Sequence, residues 1–175
     1  MSETIEDLRI KMSIGELMAI QPYGQEFYYS FNFEEKLMIP IFRRITSPAE
    51  EIRIFALLTP GQKLFYSTVF YCAQVINGGL AQYFYNDYHK HIDSVIQCMG
   101  LLGENQLAEC LASAYAHYRS HEVELLNHKM GGNYSAYATL MSQDAHDDLF
   151  FARCDEMQKK MVGFIKENAS DFIII

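Results

Sequence analysis

Tryptophan is absent from this chain, and so are basic clusters, closely spaced cysteine pairs and apolar runs long enough to cross a bilayer. Most of these absences remove a class of function. Cys72, Cys98, Cys110 and Cys154 are widely spaced with no Cys-x-x-Cys pair, so neither a zinc knuckle nor a thioredoxin-like site is supported. Thiols set inside helical patterns fit a reducing cytosol better than a secreted disulfide scaffold. With 22 acidic against 14 basic residues and a formal charge of −8, direct binding to nucleic-acid phosphates is not expected, because that needs clustered Lys and Arg. No uncharged stretch approaches the ~20 residues of a spanning helix, so no membrane association is expected. Glu3, Glu6 and Asp7 stand where a signal peptide would carry a basic n-region. A Gly-x-Ser-x-Gly elbow, a Walker A loop and a dinucleotide fingerprint are missing too. The expectation is a soluble, cytoplasmic protein with no cofactor, no metal and no catalytic residue.

Large side chains are plentiful. Half of the 175 residues are hydrophobic, with 12 Tyr, 12 Phe and 9 Met, enough to bury a core of adaptable shape in one domain. Ser13-Ile14-Gly15-Glu16 has capping-box spacing. Ser47-Pro48 and Thr59-Pro60 each place a hydroxyl cap before a proline at the first helical position. Leu64, Phe65, Thr68, Val69, Cys72, Val75 and Ile76 then follow the rhythm of a broad apolar helix face, predicting a helix from Pro60 to about Ile76. Further helices are predicted over about 88–99, 104–118, 120–129, 135–144 and 147–168. Tyr23 to Phe33 reads as strand or helix, and Pro40 should end or kink any helix over 37–45. The fold class is all-α: a multi-helix, bundle-like domain, divided into an N-terminal extension or subdomain over 1–58 and a helical domain over 59–175.

Within that pattern Asn77-Gly78-Gly79 is a stop, since two glycines each cost about 0.5–1 kcal/mol in a helix and suit positive φ. Leu80 to Asn86 follows, with Gln82 and Asn86 four apart on one helix face among Tyr83, Phe84 and Tyr85. Buried amides need partners. Asn77, Gly78, Gly79, Gln82, Tyr83 and Asn86 therefore read as an amide network locking a helix to the core, with Gln82 and Asn86 bonded to each other. The functional reading of the same residues is a recognition cleft lined by Tyr83, Tyr85 and the amides.

Three pieces of the stretch from about Thr59 to Phe172 resemble a bacterial all-helical family named after a DNA mimic protein. They are Asn77-Gly78-Gly79 with Leu80, Gln82, Tyr83, Phe84 and Asn86; Met99-Gly100 and Leu102-Gly103 running into 107–115; and Asp147, Asp148, Phe150, Asp155 with 164–168. The resemblance implies mimicry, in which carboxylates arranged like DNA phosphates occupy the basic face of a DNA-binding regulator. Two acidic groups are the candidates for that surface: Glu104, Glu109, Glu122 and Glu124, then Asp144, Asp147, Asp148, Asp155 and Glu156. The bland alternative is solvated helix faces and partners of helix N-termini. An immunity-type module using the aromatic cleft is the second functional reading. A metal-dependent hydrolase is the third: His117, His121, Glu124 and His128 would form one stripe on an uninterrupted helix, although its ends, about 16 Å apart, could not share an ion. Phe172-Ile173-Ile174-Ile175 should tuck into the core or into a second subunit, which leaves a homodimer open.

Overall fold

The computed structural model describes residues 8–20, 37–142 and 144–175. Ten α-helices and one two-residue parallel strand pair lie among them, so the fold is all-α. The aromatic stretch 23–33 lies outside the described residues. Two compact units share the chain: Met1–Tyr66 with Gln158–Ile175, and Ser67–Met157.

In the first unit β1 (Ile10–Lys11) leads into α1 (Ile14–Ala19), where the Ser13 and Glu16 capping box forms reciprocally. Pro40 follows a break, as expected: Leu37 is helical, Met38 is a turn, and helix resumes at Ile39. Pro40 lies in the first turn of α2 (Ile39–Phe42), where a missing N–H leaves no helical hydrogen bond unmade. Ser47 caps α3 (Pro48–Leu57) with proline at N1. The next helix, α4 (Pro60–Tyr85), opens on a second reciprocal box: the Gln62 N–H donates to Thr59 Oγ1 at 3.2 Å, and the Thr59 N–H to Gln62 Oε1 at 3.1 Å. Phe42 and Phe55 each meet Tyr66 edge-on at 5.6 Å, and the Tyr66 hydroxyl donates to Glu51.

The carboxyl end closes this unit. After the helix that carries Asp144–Glu167, a four-residue turn of helix, Ala169–Phe172, brings Asp171 to the start of α4, where its carboxylate accepts the Gly61 N–H at 2.7 Å. Phe172 lies edge-on to Phe65 at 6.0 Å, and β2 (Ile173–Ile174) pairs in parallel with β1. Phe172 and Ile173 are buried while Ile175 is 91% exposed. The apolar tail therefore tucks into its own chain as far as Ile173.

The Ser67–Met157 unit holds the rest of α4, a 3-10 turn (Tyr88–His91), α5 (Ile92–Leu101), α6 (Asn105–Ser120), α7 (Glu122–Met130), α8 (Tyr134–Leu140) and the first half of α9 (Asp144–Glu167). Helix α5 packs on α6, and α7 on α8. Cys72, Cys98 and Cys154 are buried and not joined in disulfides. No helix among the described residues is long and apolar enough to cross a membrane.

Because Phe172 fills the core while Ile175 faces solvent, the two ends of the tail should behave differently. Phe172→Ala is expected to lower the unfolding free energy by about 3–5 kcal/mol. Ile175→Ala should change it by less than about 0.5 kcal/mol. Urea denaturation of the two variants measures the contrast.

Candidate functional site

Helix α4 is continuous in sequence but kinked at Gly78 and Gly79, whose backbones leave helical geometry. Gly79 has φ +72°, the left-handed region that glycine enters at little cost. A Cβ there would lie 2.5 Å from Asp147 Oδ2, and one at Gly78 would overlap the Gln82 side chain. The double glycine thus answers both a backbone angle and two close approaches. Helical geometry thus ends at the glycines, as Asn77-Gly78-Gly79 led one to expect, and a second helical segment follows at once through Tyr85.

The amides brace the bend. Gln74, one turn before the kink, accepts from Gln82 Nε2 at 3.1 Å and from Asn86 Nδ2 at 2.7 Å through the same oxygen. Gln82 and Asn86 are bridged by Gln74 and do not bond each other. Asn77 is exposed, and Tyr83 is fully buried beneath the bend, edge-on to Tyr71 and Phe84 at 5.4 Å. A cleft lined by Tyr83 is therefore not formed. Tyr85 instead meets Tyr134 and Tyr137 edge-on and carries Lys129 over its ring.

A buried chain of hydrogen bonds holds the bend from the other side. The Asp147 carboxylate accepts the Leu80 N–H, at 3.1 Å to Oδ1 and 3.3 Å to Oδ2, and lies 2.9 Å from His146 Nδ1. His146 Nε2 lies 2.8 Å from the Tyr71 hydroxyl. A carboxylate can only accept, so the tautomer that satisfies all three groups donates from Nδ1 and accepts the Tyr71 proton at Nε2. Burial pushes the Tyr71 phenol well above the ordinary tyrosine range, keeping it a donor. The Asp–His–Tyr order has the look of a relay, yet Tyr71 and His146 lie inside the core. Its work is to fix the first turn of α9 against the kink. Sequence reading missed Tyr71, His146 and Gln74. The only signal was a histidine beside Asp147 at a helix start.

The acidic candidates separate in the structure. Glu104 is buried, so it presents no carboxylate to a partner, and Asp147 is turned inward to Leu80 and His146. Glu122 pairs with Arg119 at 3.3 Å. Glu109, Glu124, Asp144, Asp148, Asp155 and Glu156 are exposed. On α9, Asp144, Asp148 and Asp155 fall within about 40° of one another around the axis and span about 16 Å, so they form one stripe. The larger pattern is regional. The Ser67–Met157 unit contains 11 acidic and only 4 basic residues, which places −7 of the chain's −8 in it. Two of those cations are engaged within it, Arg119 by Glu122 and Lys129 by Asp87 at 2.6 Å.

The histidine stripe is interrupted, because α6 ends at Ser120 and His121 is the junction residue before α7. His117 Nε2 lies 2.8 Å from the Leu140 carbonyl, and His121 Nδ1 lies 3.0 Å from that of His117. Among the described residues no three His, Cys, Asp or Glu side chains are grouped to hold a metal ion. His89 is different again. Its ring stacks on Phe84 at 5.4 Å and lies 4.5 Å from Tyr118, with Nδ1 buried and unpartnered.

An all-α protein with a glycine-kinked, amide-braced helix and an acidic helical unit is the class that these features define. The chain belongs to the DMP19-like protein family, whose model matches residues 56–168, the same stretch in which the kink motif resembled a family named for a DNA mimic. No curated protein and no solved structure matches the chain.

Two predictions test the site as architecture. Gly79→Ala forces a left-handed alanine into contact with Asp147, and should cost at least about 1–2 kcal/mol in urea unfolding. His89 gives a pH dependence. Burial, with a smaller contribution from Lys129, lowers its pKa below the ordinary 6.5 despite the opposing Asp87. The unfolded chain then binds the proton more readily, so the stability is fully present above about pH 6.5 and is lost as pH falls toward the folded-state value. Unfolding of wild type and His89→Phe at pH 7.5 and pH 5 should show a smaller acid loss in the variant.

Proposed function

We propose that this protein acts by binding a basic partner protein through the acidic Ser67–Met157 unit, as a DNA-mimic-like inhibitor that occupies the DNA-binding face of a regulator. The observation that carries this reading is the segregation of charge: 11 acidic and 4 basic residues in one unit, with two of the four cations already neutralised internally. Membership of the DMP19-like family supports it. Glu109, Glu124, Glu156 and the Asp144, Asp148 and Asp155 stripe are the candidate carboxylates that face solvent and would meet Lys and Arg side chains.

Magnitude decides how such a surface works. Duplex DNA carries about one charge per 1.7 Å of axis, so about 16 Å of duplex holds roughly ten charges. The α9 stripe supplies three over that length. Mimicry by this chain therefore engages the acidic unit broadly, and depends on the sign of its field more than on a phosphate-by-phosphate copy.

A pull-down from the source cell at roughly 50 mM and roughly 200 mM salt, with and without excess duplex DNA, tests the proposal. The expected outcome is a basic DNA-binding protein retained at low salt, released at higher salt and displaced by DNA. Asp144→Asn, Asp148→Asn and Asp155→Asn combined should weaken its capture. Salt-insensitive capture that DNA leaves untouched would end the proposal.

A further inference from the structure

Helix α7 is amphipathic in an unusual sense. It buries Leu125 completely, yet it exposes a second apolar line: Val123 at 76%, Leu126 at 41% and Met130 at 77%. These positions are i, i+3 and i+7, so the three side chains stand over one another on one face. Tyr134, at the start of α8, is a further large apolar side chain left partly exposed. Scattered exposed apolar residues need no explanation, but a line of three on a single nine-residue helix is the pattern of a docking face.

The charges around this line choose its partner. Glu124, 61% exposed, lies one residue from Val123, and a depression of about 380 Å³ opens beside it, lined by Glu122, Val123, Glu124 and Asn127 among others. The nearby cations are engaged: Arg119 with Glu122, and Lys129 with Asp87. An apolar line edged by carboxylates in a unit of net charge −7 fits an apolar line edged by lysine or arginine. A second copy of this chain would bring like charges together, which costs affinity.

We infer that the Val123–Leu126–Met130 face of α7 is a docking surface for a basic amphipathic helix of a partner protein, read through apolar anchors at helical spacing. The inference shares with the function proposed above only the sign of the partner's charge. It assigns the anchoring contact to α7, away from the α9 carboxylates.

The probe is a synthetic peptide of about four helical turns, with leucines at i, i+3, i+7 and i+10 and flanking lysines. A matched control carries glutamates in place of the lysines. Fluorescence anisotropy against the full chain should show binding of the lysine peptide only. Val123→Gln with Met130→Gln changes two exposed positions to a good helix former, and circular dichroism checks that the fold is kept. This pair should weaken the lysine peptide by about tenfold or more, while Asp148→Asn with Asp155→Asn weakens it by no more than about threefold. Equal binding by wild type and the Val123/Met130 variant would overturn the inference. So would a wild-type dimer in sedimentation that the same variant dissolves, which would make a second copy the occupant. If the acidic pair alone abolished peptide binding, the docking face would be wrong while the charge-based function stood. If peptide binding held but the cellular capture proved salt-insensitive, the reverse would follow.

Discussion

The Asp147 carboxylate facing the backbone at Gly79 and Leu80 is the contact on which the Ser67–Met157 unit depends. It accepts the Leu80 N–H and faces His146, which in turn meets Tyr71 on α4 itself. One side chain from the first turn of α9 is thereby tied to both sides of the bend in α4. A carboxylate half removed from water is costly unless its oxygens are filled. Here a backbone N–H and an imidazole fill them. The absence of a Cβ at Gly79 is what lets the carboxylate approach. The kink, the helix start and the buried histidine form one arrangement, and none of the three is explained without the others.

That arrangement separates two uses of acidic residues that look alike in sequence. Asp147 and Asp148 are neighbours at the start of α9, but one faces the kink and the other faces solvent. Glu104 and Glu109 divide the same way across the first turns of α6. Acidic residues near a helix start can serve the fold or a partner, and only burial distinguishes them. The charge that remains at the surface is concentrated, because the basic residues of the chain lie mostly outside Ser67–Met157.

Much of the fold was legible because its signals were local. Capping at Ser13, Ser47 and Thr59, and the break at Gly78 and Gly79, each follow from a few adjacent residues whose hydrogen bonding is decided within one turn. The site was legible only in part. That Gln82 and Asn86 would share a helix face and need partners was readable; that their common partner would be Gln74, on the other side of the kink, was not. The Tyr71–His146 contact joins residues 75 positions apart, and no periodicity encodes such a meeting. A compact unit that ends at Met157 excludes Lys159, Lys160 and Lys166, and the acidity then stands out.

In the function proposed for this protein, charge and apolar surface would divide the labour of recognition. Dispersed carboxylates at this density attract and orient a basic protein over about a Debye length, roughly 8 Å at physiological salt, and raise the rate of encounter. They do little to hold it, since exposed ion pairs contribute about 0–1 kcal/mol each. Holding needs surface that leaves water on binding, and residence time is where related complexes mostly differ. Val123, Leu126 and Met130 supply such surface within the same acidic unit. A protein that imitated DNA by charge alone would release its partner as salt rose, as DNA does. One that adds an apolar anchor keeps part of its affinity, and can choose among basic proteins that DNA-like charge would treat alike.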